Sequence, residues 1–230
     1  DCQGASNGTI SFTMLTGTAP YTYTWSGGTG NIAANNVEEV LTGLAAGSYD
    51  ILVTDANGFQ TLIQETIGEP SALQVSLTTS SYGLYGVSCA AASDGSISAT
   101  VMGGTAPYSY AWSSGGTGTS IENLSSNTYD LVVMDVNGCT ATAAAALSAP
   151  LALSLDLEVD APACDDTNGG SVRIAGATGG TGPYVYAVDN QAYTTNTLFA
   201  GLDVGNHLVS VQDVNGCVLE EIITINSAPI

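Results

Sequence analysis

Three segments of this chain lie over one another without gaps: TGTAPYTYTW from Thr16 to Trp25, GGTAPYSYAW from Gly103 to Trp112, and GGTGPYVYAV from Gly179 to Val188. A second block follows each in the same order, LAAGSYDILVTDANGF (Leu44 to Phe59), LSSNTYDLVVMDVNGC (Leu124 to Cys139) and LDVGNHLVSVQDVNGC (Leu202 to Cys217). Pro70, Pro150 and Pro229 mark the same phase at steps of 80 and 79 residues. Solenoid repeats of about 20 to 50 residues bury their apolar faces only against neighbours, whereas about 80 residues can enclose a core of their own. The period therefore predicts three domains, at residues 1–69, 70–149 and 150–230. The first lacks the Pro-x-x-Leu strand that opens the other two, and the third ends with the start of another such segment.

Within a copy the apolar period is two. Ile51 and Val53 alternate with Leu52 and Thr54, and Leu73, Val75 and Leu77 alternate with Gln74, Ser76 and Thr78. That spacing predicts strands. The Asn-Gly pairs at 57–58, 137–138 and 215–216 separate two such runs and predict the last hairpin of each copy, with positive φ at the central residues. Tyr49 and Tyr129 stand just ahead of the penultimate strand, where immunoglobulin-type sandwiches place a tyrosine that bonds back to the backbone, and His207 takes that place in the third copy. Trp25 and Trp112 are read as core plugs, with Val188 as a smaller substitute. About seven short strands per copy give an all-β chain of three tandem immunoglobulin-like β-sandwich modules in an elongated rod. Each module would be on the order of 35 to 40 Å long and the three together about 110 Å.

Charge excludes several partner classes. The chain carries 21 acidic residues against one basic residue, Arg173, and no lysine, a formal net charge of −20. Nucleic acid and anionic membrane surfaces are recognised by Lys and Arg that displace counterions, so neither is an expected partner. No apolar run reaches the roughly 18 to 20 residues of a spanning helix. With 44% apolar residues and only 10% charged, a folded chain with an uncharged polar surface is expected. The sequence starts at Asp1 without an initiator Met, which we read as processing or a fragment boundary.

The five cysteines fall at two positions in the repeat, one ahead of an Asn-Gly or Asp-Gly turn and one directly after the late Asn-Gly. That register predicts disulfides Cys89–Cys139 and Cys164–Cys217, each within one copy and each contributing roughly 4 kcal/mol by loop closure. Phe59 occupies the second position in the first copy, which leaves Cys2 unpaired or paired with another chain. Zinc is a weak further reading, because no two cysteines are close in sequence. Disulfides place the protein outside a reducing cytoplasm.

Catalytic chemistry finds little support. His207 is the sole histidine and sits in a structural slot, and Glu38-Glu39 and Glu220-Glu221 are neighbours that point to opposite faces of a strand. No enzyme is expected, and no cofactor except calcium. Asp156, Glu158 and Asp160 would line one strand face with Asp165 and Asp166 in the next turn, oxygen ligands of the kind calcium takes; a solvated acidic face is the alternative. Asp55, Asp135 and Asp213 are read as turn residues capping local N–H groups.

The combination of GGTAPYSYAW, the L-x-x-G-x-Y turn and D-x-N-G-C resembles the SprB-type repeats of Bacteroidota gliding adhesins and related surface proteins, over essentially the whole chain. The third copy departs from the pattern at Gly182, Val188 and His207, and the first at Phe59. The resemblance implies repeat arrays on the outer surface, export by a type IX system and roles in adhesion or gliding. It implies no catalytic residues. The expected function is a stalk, spacer or adhesive segment of a large secreted cell-surface protein, associated with the outer membrane and touching an extracellular surface, a glycan or other copies of itself. The alternative is a subunit of an extracellular filament or sheath, assembled by strand complementation between chains.

Overall fold

The computed structural model describes residues 2–162 and 169–227. These form eighteen strands, and no helix occurs among the described residues. The first repeat supplies β1 (Gly8–Thr13), β2 (Tyr21–Trp25), β3 (Gly28–Ile32), β4 (Glu38–Leu44), β5 (Gly47–Thr54) and β6 (Gln60–Ile67). From the second come β7 (Gln74–Thr79), β8 (Gly95–Met102), β9 (Ser109–Trp112), β10 (Ser120–Leu124), β11 (Asn127–Met134) and β12 (Thr140–Leu147). The third gives β13 (Ser154–Asp160), β14 (Gly170–Thr178), β15 (Val185–Val188), β16 (Leu198–Leu202), β17 (Gly205–Gln212) and β18 (Val218–Ile225). Among the described residues each repeat thus shows six strands, where about seven were expected.

The strands pair into sheets that recur in kind. The orders are β1-β4 with β3-β2-β5-β6, then β10-β8-β7 with β12-β11-β9, then β13-β14-β16 with β15-β17-β18. Wherever strand pairing is resolved in detail it is antiparallel, so one sheet face can pack while the other meets water. The period-two reading is visible directly: Ile51 and Val53 of β5 are 0% and 1% exposed, while Asp50 between the strand's inward positions faces out. Paired sheets closing over such faces make the chain an all-β, immunoglobulin-like β-sandwich protein.

The described residues gather into two compact units. One comprises residues 1–75, 101–110 and 132–142, and the other 76–100, 111–131 and 143–230. Strands β7, β8, β9, β11 and β12 contribute residues to both. In the first unit Ile10, Phe12, Tyr21, Tyr23, Ile32 and Leu41 form a core with β5, where Phe12 and Tyr23 meet edge to face at 5.4 Å. A core of the second unit is built from Val172, Ile174, Val188, Val209, Val211 and Ile225, with Leu153, Leu155 and Leu157 packed against it. The alternating leucines on the segment that opens the third repeat are therefore core-facing.

The Asn-Gly hairpins differ from expectation. Gly58, Gly138 and Gly216 have φ of 85°, 83° and 84°, but their asparagines do not take positive φ. Asp55 N donates to Phe59 O, and Gly58 N to Asp55 O, so three residues form the loop. A three-residue hairpin of this kind needs one left-handed residue, which glycine supplies, where the two-residue form would need two.

Candidate functional site

Each Asp-x-Asn-Gly turn is held by its aspartate in the same way. Asp135 Oδ1 accepts from the N–H groups of Asn137 and Cys139, both at 2.9 Å, and its Oδ2 from Thr105 N at 2.9 Å. Asp213 repeats this with Asn215 and Cys217, both at 2.9 Å, and with Thr181 at 2.7 Å. Asp55 does so with Asn57, Phe59 and Thr18. The backbone adds a return bond, as Ala56, Val136 and Val214 donate to the carbonyls of Thr18, Thr105 and Thr181. The two repeated blocks of sequence are thus one structural element. Burial pushes the carboxyls of Asp55 and Asp135 up, and the backbone N–H donors outweigh it, so both lie below the ordinary carboxylate range.

In the second and third repeats this element also holds a cysteine, and here the sequence expectation is corrected. Cys2 is bonded to Cys139 and Cys89 to Cys217, across 137 and 128 positions. Cys89 and Cys139 are not joined to each other, Cys217 is not joined to Cys164, and Cys2 is neither free nor bonded to another chain. Cys164 itself lies outside the described residues. The reason is the length of a strand. Cys2 lines one small cavity with Gly8, Leu44 and Ile67, at the far end of β6, whereas Phe59 precedes the near end. Eight residues of strand span about 26 Å, and a disulfide needs Cα atoms within about 7 Å. In the first repeat the two cysteine positions therefore stand toward opposite ends of β6, and the early cysteines Cys2 and Cys89 meet the late cysteines Cys139 and Cys217 of the following repeat, with Cα atoms 5.5 and 5.7 Å apart.

The other singled-out residues are placed as follows. The hydroxyls of Tyr49 and Tyr129 donate to the carbonyls of Ala45 and Ser125, at 2.8 and 3.0 Å. His207 sets Nε2 2.8 Å from Asp203 O and Nδ1 2.6 Å from Asp189 Oδ2. A carbonyl and a carboxylate both accept, so the doubly protonated ring satisfies both; the Asp189 bond, then the Asp203 carbonyl, hold the His207 pKa above its ordinary value. His207 in turn holds the Asp189 carboxyl below its ordinary range. Trp112 is 5% exposed and donates to Gly118 O, while Trp25 is half-buried against Tyr49. Val188 is buried.

Asp156, Glu158 and Asp160 lie exposed on β13, and Glu158 pairs with Arg173 at 3.3 Å across 62% and 57% exposed side chains. An ion pair that open to water contributes little to stability. Asp165 and Asp166 lie outside the described residues. No cluster of three or more metal-ligating side chains occurs among the described residues.

Sequence reasoning missed the seat filled by the segment ahead of β7 and β13. Gly104 N donates to Ser71 O and Gly180 N to Leu151 O, both at 2.8 Å. A Cβ on Gly103 or Gly179 would fall 2.0 or 1.9 Å from the carbonyl oxygen of Ala72 or Ala152. Leu73 and Leu153 then pack beside Gly104 and Gly180, against the Asp135 and Asp213 turns. The Gly-Gly pairs, with Thr16-Gly17 in their place in the first repeat, were the available signal.

Two segments, residues 1–30 and 87–117, match the SprB repeat family model. No curated protein matches the sequence. Among solved structures, a 1.5-MDa bacterial ice-binding adhesin, studied for host cell surface retention, is similar at a TM-score of 0.53 and 15% identity, over 96% of this chain and 91% of that one. The N-terminal eight immunoglobulin domains of Down syndrome cell adhesion molecule align over 100% of this chain and 35% of theirs, at 0.35 and 13%. A 282-residue C-terminal fragment of intimin aligns over 68% and 64%, also at 0.35 and 13%.

Proposed function

We propose that this chain, which carries SprB-type repeats, is a repeat segment of a bacterial cell-surface adhesin and serves there as a stalk or spacer without enzymatic activity. The observation that carries the reading is the pair of family matches. Both begin just ahead of an early cysteine, Cys2 or Cys89, and run through the Pro-Tyr strand, so they fall on equivalent parts of the fold. Two further features support a place outside the cell. The bonds Cys2–Cys139 and Cys89–Cys217 suit an oxidising compartment. A net charge of −20 with one basic residue keeps such a segment soluble and off anionic surfaces.

Immunogold electron microscopy of intact source cells, with antibody raised against this chain, tests the reading. Label on thin strands rooted at the cell surface is expected. Label confined to the cell interior would refute it, and label on regular fibres free of cells would replace the stalk with the filament subunit.

A further inference from the structure

Trp25, Trp112 and Val188 hold the same place in the three repeats and are used differently. The Trp112 side chain is buried with its indole N–H spent on Gly118 O, and Val188 is buried too. The Trp25 ring is only half-buried, and its indole N–H has no acceptor among the described residues. It is nevertheless held in place, tilted against Tyr49 at 5.9 Å and lying over Gly27, where a Cβ would fall 2.1 Å from the ring. Trp25 lines a cavity of about 390 Å³ in the first repeat. Small-ligand sites span roughly 300 to 1,000 Å³ and set a few polar groups among aromatic and apolar ones.

The sheet supplies the rest of the lining. Ser48, Asp50 and Leu52 alternate along β5 with Tyr49, Ile51 and Val53, which pack in the core, so the first three share the opposite face and line the cavity. Cross-strand register sets Gln64 opposite Asp50, and Thr24 and Leu62 on either side of Leu52. Gln64 Nε2 donates to Asp50 Oδ1 at 2.8 Å, which fixes the carboxylate and leaves Oδ2 without a donor among the described residues. The carboxylates of Asp55, Asp135 and Asp213 are consumed by their own turns, and that of Asp50 is not. The second repeat has Ala144 in place of Gln64 and the third has Leu208 in place of Asp50, so neither repeats the arrangement.

We propose that this face of the first repeat binds a short uncharged saccharide. The negative face of the indole suits the C–H face of a sugar ring. Trp25 Nε1 donates to a sugar oxygen, Asp50 Oδ2 accepts from sugar hydroxyls, and the hydroxyls of Thr24, Ser26 and Ser48 do either. No cationic side chain lines the cavity, and Asp50 repels carboxylated or sulfated sugars. A quaternary ammonium would suit Trp25 and Asp50, but it has no hydrogen bond to give the three hydroxyls. Such binding gives the segment an adhesive contact of its own, whether or not it also serves as a spacer.

Heteronuclear NMR of the full chain tests this, since Trp25 and Trp112 give its indole N–H signals. The probes are maltose, cellobiose, lactose, mannobiose and di-N-acetylchitobiose. At least one is expected to shift the Trp25 signal, saturating near about 10 mM as weak single-site binding does, and to leave Trp112 unmoved. Asp50→Ala and Ser48→Ala, both at exposed positions that do not threaten the fold, should weaken that saccharide about tenfold and about threefold. No shift from any probe at about 50 mM, equal movement of both indoles, or unchanged affinity in Asp50→Ala would each overturn the proposal. Choline that shifts Trp25 as strongly as the best saccharide would also overturn it, because the site would then be one for ammonium groups. The titration uses the isolated chain, so its outcome is independent of where the immunogold label falls.

Discussion

Cys2 and Cys139 are joined at a Cα–Cα distance of 5.5 Å although 137 positions separate them. The second bond, Cys89–Cys217, starts inside the first loop and ends beyond it, so the two loops overlap from 89 to 139. By the chain-entropy model each closure alone contributes about 5 kcal/mol, though the overlap makes the pair non-additive.

Overlap limits how far the chain can be pulled. With both bonds closed, the shortest covalent path from Cys2 to Cys217 crosses to Cys139, runs back to Cys89 (139 − 89 = 50 residues) and crosses again. Fully stretched, that is roughly 170 Å, against roughly 730 Å for the 217 − 2 = 215 residues of the reduced chain. Single-molecule force spectroscopy with handles at Cys2 and Cys217 neighbours is expected to show about a fourfold gain in contour length on reduction. In-repeat pairing would leave a much larger length extensible before reduction.

Asp213→Ala removes the acceptor of three backbone N–H groups and leaves them without a partner in a site that is 5% exposed. A loss of about 3 kcal/mol is expected by urea denaturation. Asp213→Asn retains one accepting oxygen and should lose about half as much.

The His207–Asp189 pair predicts a pH window. Asp189 is depressed, so its contribution is present above the unfolded carboxylate pKa and lost as pH falls through the lower folded value. His207 is raised, so its contribution is full below the unfolded pKa and lost as pH rises through the higher folded value. Thermal stability from this pair should be greatest between about pH 4 and 6.5. His207→Tyr, the residue of the other two repeats, should flatten the fall on the alkaline side while keeping a bond to Asp203 O, as scanning calorimetry across pH would show.

Glycine is required at 103 and 179 for two reasons together. Their φ values are 71° and 75°, and an added Cβ would meet the carbonyl of Ala72 or Ala152. Gly179→Ala should therefore cost well over 2 kcal/mol. Gly115→Ala, at φ 89° with nothing within 4 Å, isolates the backbone term and should cost about 1 kcal/mol.

Much of the fold was legible because strand structure is written locally. The alternation at Ile51 and Val53 gives a buried face in β5, and the repeated Asp-x-Asn-Gly gives a hairpin whose aspartate has N–H groups two and four residues away to accept from. Thr18, Thr105 and Thr181 could not be joined to those turns by reading, since 37, 30 and 32 positions intervene and only the folded sheets bring them together. The same holds for the seat of Leu73 and Leu153, where the Gly-Gly pairs were visible but the segment that needs their bareness was not.

By itself the sequence determined the all-β class, the repeat, the positions of the turns and the two slots that cysteines occupy, because these follow from side-chain periodicity and backbone preference within a few residues. Tertiary structure alone decided which cysteines meet. Equivalent positions in a repeat are alike in sequence, but a disulfide forms on distance, and the eight residues of β6 hold the two slots of the first repeat apart.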